Sequence, residues 1–146
     1  MIVYVDTSVL VRAFLPDEDG HDQARELMDD GAVVLVTGTW TRIEVVSALA
    51  RANANGRAPA AALLDAALAT LGDDGRVAVV SVPQDQVEHD AFTLARDHGL
   101  RAMDAWHLAC AGIALPLLAE ADEIQAFATR DAEQAAAARR LGLTVI

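Results

Sequence analysis

Met1-Ile2-Val3-Tyr4-Val5-Asp6-Thr7-Ser8 decides how the rest of the chain is read. Met1 to Val5 is a short apolar run, partly β-branched, of the kind that forms a buried strand. It ends abruptly on a carboxylate followed by two hydroxyl residues. Asp6, Thr7 and Ser8 are all good helix caps, so a first helix is expected to begin there and to stop before Pro16. A buried strand that runs straight into a helix sets a rhythm, and the remaining residues keep to it.

Beyond Pro16, the pattern predicts a helix over Gly20 to Met28, a turn at Asp29-Asp30-Gly31 and a strand over Val33 to Val36. Gly38 and Thr39 lead into a helix from about Trp40 to Ala54, closed by Asn55-Gly56. A further helix is expected from Pro59 to Leu71, with the proline in its first turn. Val77 to Val82 reads as a strand, and Asp85 to Asp97 as a helix ended by His98-Gly99. Another helix begins near Met103 or Asp104 and reaches Ala111 or beyond. Ile124 to Ala128 is a strand, Asp131 to Leu141 a helix, and Thr144 to Ile146 a last strand. Strands alternating with helices imply an α/β fold of three layers, with a mostly parallel central sheet covered on both faces. No linker or repeat divides the chain, so residues 1–146 are expected to form a single domain.

Composition agrees with this outline. The chain has 146 residues, 53% of them hydrophobic but only 4% aromatic, so the core is expected to be built from Ala, Leu and Val. No apolar run approaches the length of a bilayer span, and the early carboxylate argues against a signal peptide or anchor. The single cysteine, Cys110, forbids an internal disulfide and suits a cytoplasmic protein; it reads as a small core residue. Lysine is absent and every cation apart from histidine is Arg, which excludes P-loop phosphate binding and Schiff-base chemistry. The formal net charge of −11 runs against binding a polyanion. Two features reduce that objection: carboxylates gathered around metal ions would be offset by them, and Arg is the better bidentate phosphate ligand.

In open parallel sheets, ligands bind beyond the carboxyl ends of the strands. Asp6 follows the first strand, and Asp131 stands three positions after the strand ending near Ala128, so both should open on the same rim. A carboxylate directly after a buried strand is costly without a helix N-terminus or a cation for partner. Thr7 and Ser8 can cap the helix themselves, which frees Asp6 to be a metal ligand. Asp104, in Met103-Asp104-Ala105-Trp106-His107, reads either as an N-cap or as a ligand. Glu44 lies in the amphipathic stretch Thr41-Arg42-Ile43-Glu44-Val45-Val46, close to a buried face, with small neighbours at Ser47 and Ala48; its ordinary alternative is a surface ion pair. Asp131 opens a helix and also reads as a dipole-compensating acid. Four such acids at one rim would repel one another unless divalent cations lay among them. Mg²⁺ takes a few carboxylates and keeps its waters, and a metal pair can steady both the attacking water and the leaving oxygen of a phosphodiester. Thr7, Ser8 and Thr129 are placed to orient those waters or carboxylates. His21, His89, His98 and His107 have no zinc-site spacing. His107 follows Asp104 by three residues and is within reach of the site, although a packed or solvent-facing role is the simpler reading.

Four segments together resemble a PIN domain, and in particular the VapC-type toxins of bacterial toxin–antitoxin pairs. They are Val3-Tyr4-Val5-Asp6-Thr7-Ser8-Val9-Leu10, Thr41-Arg42-Ile43-Glu44-Val45, Met103-Asp104-Ala105-Trp106-His107-Leu108-Ala109 and Ala128-Thr129-Arg130-Asp131. Each is short, but their order and spacing span almost the whole chain. The resemblance implies a Mg²⁺- or Mn²⁺-dependent endoribonuclease whose metal-binding acids are Asp6, Glu44, Asp104 and Asp131, with Ser8 as the small hydroxylated position and Thr129 as a helper. It also implies a homodimer held inactive by a cognate antitoxin protein. With no Lys and no pair of histidines for acid–base work, the expected reaction is hydrolysis by a metal-activated water, leaving a 5′-phosphate and a 3′-hydroxyl. An inserted Arg or Lys from the antitoxin would pair with the acid cluster, and the Ala- and Leu-rich helices from Trp40 to Leu71 would offer a groove for an amphipathic helix. The acidic run Glu120-Ala121-Asp122-Glu123 departs from this picture and reads as a solvated turn.

Two other functions fit less well. A phosphatase with an aspartyl nucleophile at Asp6 would want a second acid two positions on, where Ser8 stands, and a Lys to steady the phosphorylated intermediate. A PIN-like domain that has lost catalysis and serves only in binding would have no need to keep all four acids.

Overall fold

The computed structural model describes residues 1–57, 60–72 and 74–146. Five parallel strands form one sheet in the order β3-β2-β1-β4-β5. They are β1 (Ile2–Val5), β2 (Val34–Gly38), β3 (Val77–Val80), β4 (Gln125–Ala128) and β5 (Thr144–Val145). Among the described residues seven helices connect or flank them: α1 (Thr7–Phe14), α2 (His21–Asp29), α3 (Trp40–Ala54), α4 (Ala60–Thr70), α5 (Gln84–His98), α6 (Ala102–Leu118) and α7 (Ala132–Arg140). The expected architecture, three layers around a parallel sheet, is the one observed. The start of α4 at Pro59 lies outside the described residues.

β1 occupies the centre, paired with β2 on one side and β4 on the other, and all four of its residues are buried. Side chains alternate across a strand, so β1 feeds two cores. Val3 and Val5 face a cluster with Val9 and Leu10 of α1, Ala24 of α2, Val45 and Leu49 of α3 and Ala67 of α4. Ile2 and Tyr4 face the opposite cluster, with Val87 of α5, Leu108 of α6 and Ala137 of α7. The layers are therefore α1–α4 on one face and α5–α7 on the other. Among the described residues no helix is long and apolar enough to cross a membrane.

Local boundaries differ from the sequence reading in ways that bear on the rim. α6 begins at Ala102, with Arg101 in the N-cap position, so Asp104 is not a cap but a residue of the first helical turn. β3 stops at Val80 rather than Val82, because its hydrogen-bonded partner β2 ends at Gly38. Capping of α1 falls to Asp6 itself, whose Oδ2 accepts the Ser8 backbone N–H at 2.9 Å, and not to Thr7 or Ser8, which lie inside the helix. Asp131 caps α7 in the same way, its Oδ1 accepting the Gln134 backbone N–H at 2.8 Å.

Candidate metal centre at the carboxyl edge of the sheet

The chain leaves β1 at Asp6 and β4 at Thr129, and these adjacent strands deliver both residues to the same edge of the sheet. The Asp6 backbone N–H donates to Ala128 O at 3.0 Å, which ties the two exits together. Strand order reverses here, since β2 lies to one side of β1 and β4 to the other. That is where an open parallel sheet forms its binding crevice.

Asp6 is buried and has a donor on each carboxylate oxygen: the Ser8 N–H on Oδ2 and, at 3.3 Å, the Gln134 side-chain N–H on Oδ1. Asp104 projects from the first turn of α6 toward the same place. Its carboxyl is pushed above the usual carboxylate range, by burial first and then by the charges of Asp131 and Asp6, with Arg101 and His107 opposing. Two negative neighbours acting on one carboxyl mark a shared patch of negative potential. The acids after β1, in α6 and at the start of α7 are thus near enough for the charges of Asp6 and Asp131 to act on Asp104.

Glu44 reaches this rim from α3, in the opposite helical layer from Asp104. It accepts a hydrogen bond from the Thr7 hydroxyl at 2.7 Å, and its Oε2 lies 2.6 Å from His107 Nε2. Burial resists ionisation of Glu44, but the His107 hydrogen bond and charge, together with the Thr7 hydroxyl, outweigh it and hold the carboxyl below its ordinary value. The surface ion pair allowed by the sequence is therefore replaced by a half-buried pairing with His107. Beside Glu44 opens a cavity of about 340 Å³, lined in part by Thr7, Trp40, Ser47, Ala48 and Arg51.

Three hydroxyls were expected to orient the acids. Thr7 does touch Glu44. Ser8 Oγ instead accepts the Arg130 backbone N–H at 3.2 Å, joining α1 to the turn after β4. Thr129 is buried; its hydroxyl donates to Gln134 Oε1 and accepts the Asp131 N–H at 3.1 Å.

Gln134, in the first turn of an Ala-rich helix, did not stand out in the sequence. It is nevertheless fully buried. Its side-chain nitrogen donates both to Asp6 Oδ1 and, at 3.1 Å, to the Asp104 backbone carbonyl, while its oxygen takes the Thr129 hydroxyl. One amide thus links β1, α6, α7 and the β4 exit. His107 is a packed histidine, as the simpler reading held, and at 1% exposure it still reaches the rim, 3.9 Å from Asp6 Oδ1.

The chemistry of this donor set suits a hard divalent cation. All four acids are oxygen donors, and neither Cys nor zinc-spaced His competes for a softer metal. Among the described residues no three His, Cys, Asp or Glu side chains are grouped closely enough to hold a metal ion. Mg²⁺ keeps several waters, so some carboxylates can hold it through water rather than by direct contact.

The family model of the PIN domain matches residues 3–140, nearly the whole chain. The chain belongs to the PIN-domain family. PIN domains are generally metal-dependent nucleases, and the rim described above lies within the matched span. No curated protein matches the chain.

Proposed function

We propose that this PIN domain is a Mg²⁺- or Mn²⁺-dependent endoribonuclease, the toxin of a toxin–antitoxin pair, acting in the cytoplasm through Asp6, Glu44, Asp104 and Asp131. The observation that supports the proposal is that Asp6 leaves β1 at the switch point of the sheet and that the charges of Asp131 and Asp6 bear on Asp104. Mutual repulsion of that kind is relieved by a divalent cation. Asp6, Asp104 and Asp131 would hold it, with Glu44 completing the set from α3. When bound, the cation would supply Lewis acidity to activate water and to steady the leaving oxygen of the phosphodiester. Thr7 orients Glu44, and Gln134 fixes Asp6 against the start of α6.

RNA is the substrate this reading favours. A protein of net charge −11 gains little from long-range attraction to phosphate, so its contacts must be local. The cavity beside Glu44 has the parts for such contacts: the half-exposed Trp40 to stack a base and Arg51 for a phosphate. Trp40, Ile43 and Leu68 also expose apolar surface on α3 and α4, which supports docking of an amphipathic antitoxin helix and pairing into a homodimer.

Brief expression followed by sequencing of new RNA 5′ ends tests the reading, with Asp6→Asn as control. Discrete new ends that disappear in the variant support it; an unchanged RNA population favours a binding domain without catalysis. Co-expression with the product of the neighbouring upstream reading frame tests the antitoxin. If that product neither co-purifies nor suppresses cleavage, a freestanding processing nuclease is the better account.

A further inference from the structure

Glu44 is the one acid at the rim that comes from α3, and its carboxylate is held by a chain of hydrogen bonds that begins on the far side of the sheet. The Gly38 backbone N–H donates to Tyr4 Oη at 3.0 Å, and Tyr4 Oη lies 3.0 Å from His107 Nδ1. His107 Nε2 then meets Glu44 Oε2 at 2.6 Å, and Thr7 Oγ1 donates to the same oxygen. A proton count fixes the last link of this chain. A carboxylate oxygen only accepts, so Nε2 is the N–H that faces Glu44. Tyr4 Oη accepts from Gly38 and makes its second hydrogen bond with Nδ1. Tyr4 and His107 are both almost completely buried, and ring contacts confine them further. Phe127 stacks on Tyr4 at 5.6 Å between ring centroids, and Trp106 meets His107 edge-on at 5.4 Å.

We propose that Tyr4 and His107 are positioning residues for Glu44, forming a buried relay from the Gly38 amide that fixes one carboxylate oxygen. The proposal rests on the nuclease reading above for its catalytic consequence. A glutamate on an exposed helical turn samples several rotamers, and each must be lost when it works. The relay removes that freedom before any ligand arrives. It also couples the two helical layers, since α6 supplies His107 and α3 supplies Glu44.

The test uses the full-length protein with His107→Gln, His107→Asn, Glu44→Gln and the double variant His107→Asn with Glu44→Gln. A glutamine amide reaches about as far as Nε2 and keeps the donor to Glu44; asparagine reaches only to Nδ1. We expect His107→Asn to weaken Mn²⁺ binding, read by electron paramagnetic resonance, and to lower kcat, each by about 10- to 100-fold. His107→Gln should recover most of both losses. In the Glu44→Gln background, His107→Asn should add almost nothing, because its effect passes through Glu44. Losses that add in full in the double variant would overturn the proposal, as would His107→Asn matching the wild type. Long-range ¹H–¹⁵N spectra of the metal-free wild type provide a readout independent of catalysis. They should show a proton on Nε2; a ring with none there would break the relay. If the wild type neither binds Mn²⁺ nor cuts RNA, the nuclease reading fails, while the spectra still decide whether the relay exists.

Discussion

Replacing Gln134 with Leu should destabilise the protein far more than its modest place in an Ala-rich helix suggests. The substitution nearly preserves volume but deletes three buried hydrogen bonds: those to Asp6 Oδ1, to the Asp104 carbonyl and from the Thr129 hydroxyl. Each neutral bond contributes roughly 1 kcal/mol, the one to a carboxylate somewhat more, and the abandoned partners stay buried and unsatisfied. The added apolar surface of Leu offsets part of this, leaving a loss of about 2–4 kcal/mol. At about 3–4 °C per kcal/mol for a chain of this length, Tm should fall by roughly 6–15 °C. Urea unfolding of both proteins in EDTA measures the difference without any contribution from metal. Gln134→Glu serves as a companion: it keeps an acceptor for Thr129 but sets a carboxylate against Asp6, so it should be strongly destabilised in EDTA and partly recover in Mn²⁺. A loss below about 0.5 kcal/mol for Gln134→Leu, the range of ordinary surface changes, would refute the view that this amide holds the rim together.

Asp104→Asn should raise Tm in metal-free buffer at pH 7 while abolishing cleavage. The folded-state carboxyl sits above its ordinary value, so the folded form binds a proton more readily than the unfolded one, and stability is lost as pH rises through the carboxylate range. Asparagine removes that penalty, and a lower Tm in EDTA would contradict the argument. At Gly38 a Cβ would lie 2.7 Å from both Tyr4 Oη and the Trp106 ring, so Gly38→Ala should cost about 1–3 kcal/mol and change tryptophan fluorescence. Equal stability to the wild type would show that the aromatic pair yields freely. Burial pushes the Cys110 thiol up to about 12, against a Tyr4 hydrogen bond that lowers it. The thiol's contribution to stability is complete below pH 9 and is lost as pH rises toward 12. Alkylation at pH 8 should therefore follow unfolding, and rapid labelling of the native protein would contradict the burial.

Much of this architecture was legible in the sequence because β1 is short, wholly apolar and ends on Asp6. A strand buried on both faces belongs in the middle of a parallel sheet, and the acid that follows it belongs at the edge. The position of Asp131, three residues beyond β4, followed from the same rule; that of Asp104, on a helix that follows another helix, did not. Helix ends were less legible: Arg101 is not a cap by residue type, so the start of α6 could not be told from Asp104. The partners of the acids were the least visible. Gln134 and Tyr4 lie 128 and 103 positions from the groups they bond, Asp6 and His107, and neither residue type announces a buried hydrogen bond. His107 was noticed through its spacing from Asp104, but its pairing with Glu44 depends on α3 and α6 meeting across the rim, which no local pattern encodes.

The most direct test of the central claim is cleavage of a single-stranded RNA by the purified protein, with and without divalent metal. Cleavage in Mn²⁺ or Mg²⁺ should stop on adding EDTA, resume when metal is restored, and be absent in Asp6→Asn, with every product carrying a 5′-phosphate and a 3′-hydroxyl. Cleavage that persists in EDTA and in Asp6→Asn, or that leaves 2′,3′-cyclic phosphates, would contradict the account.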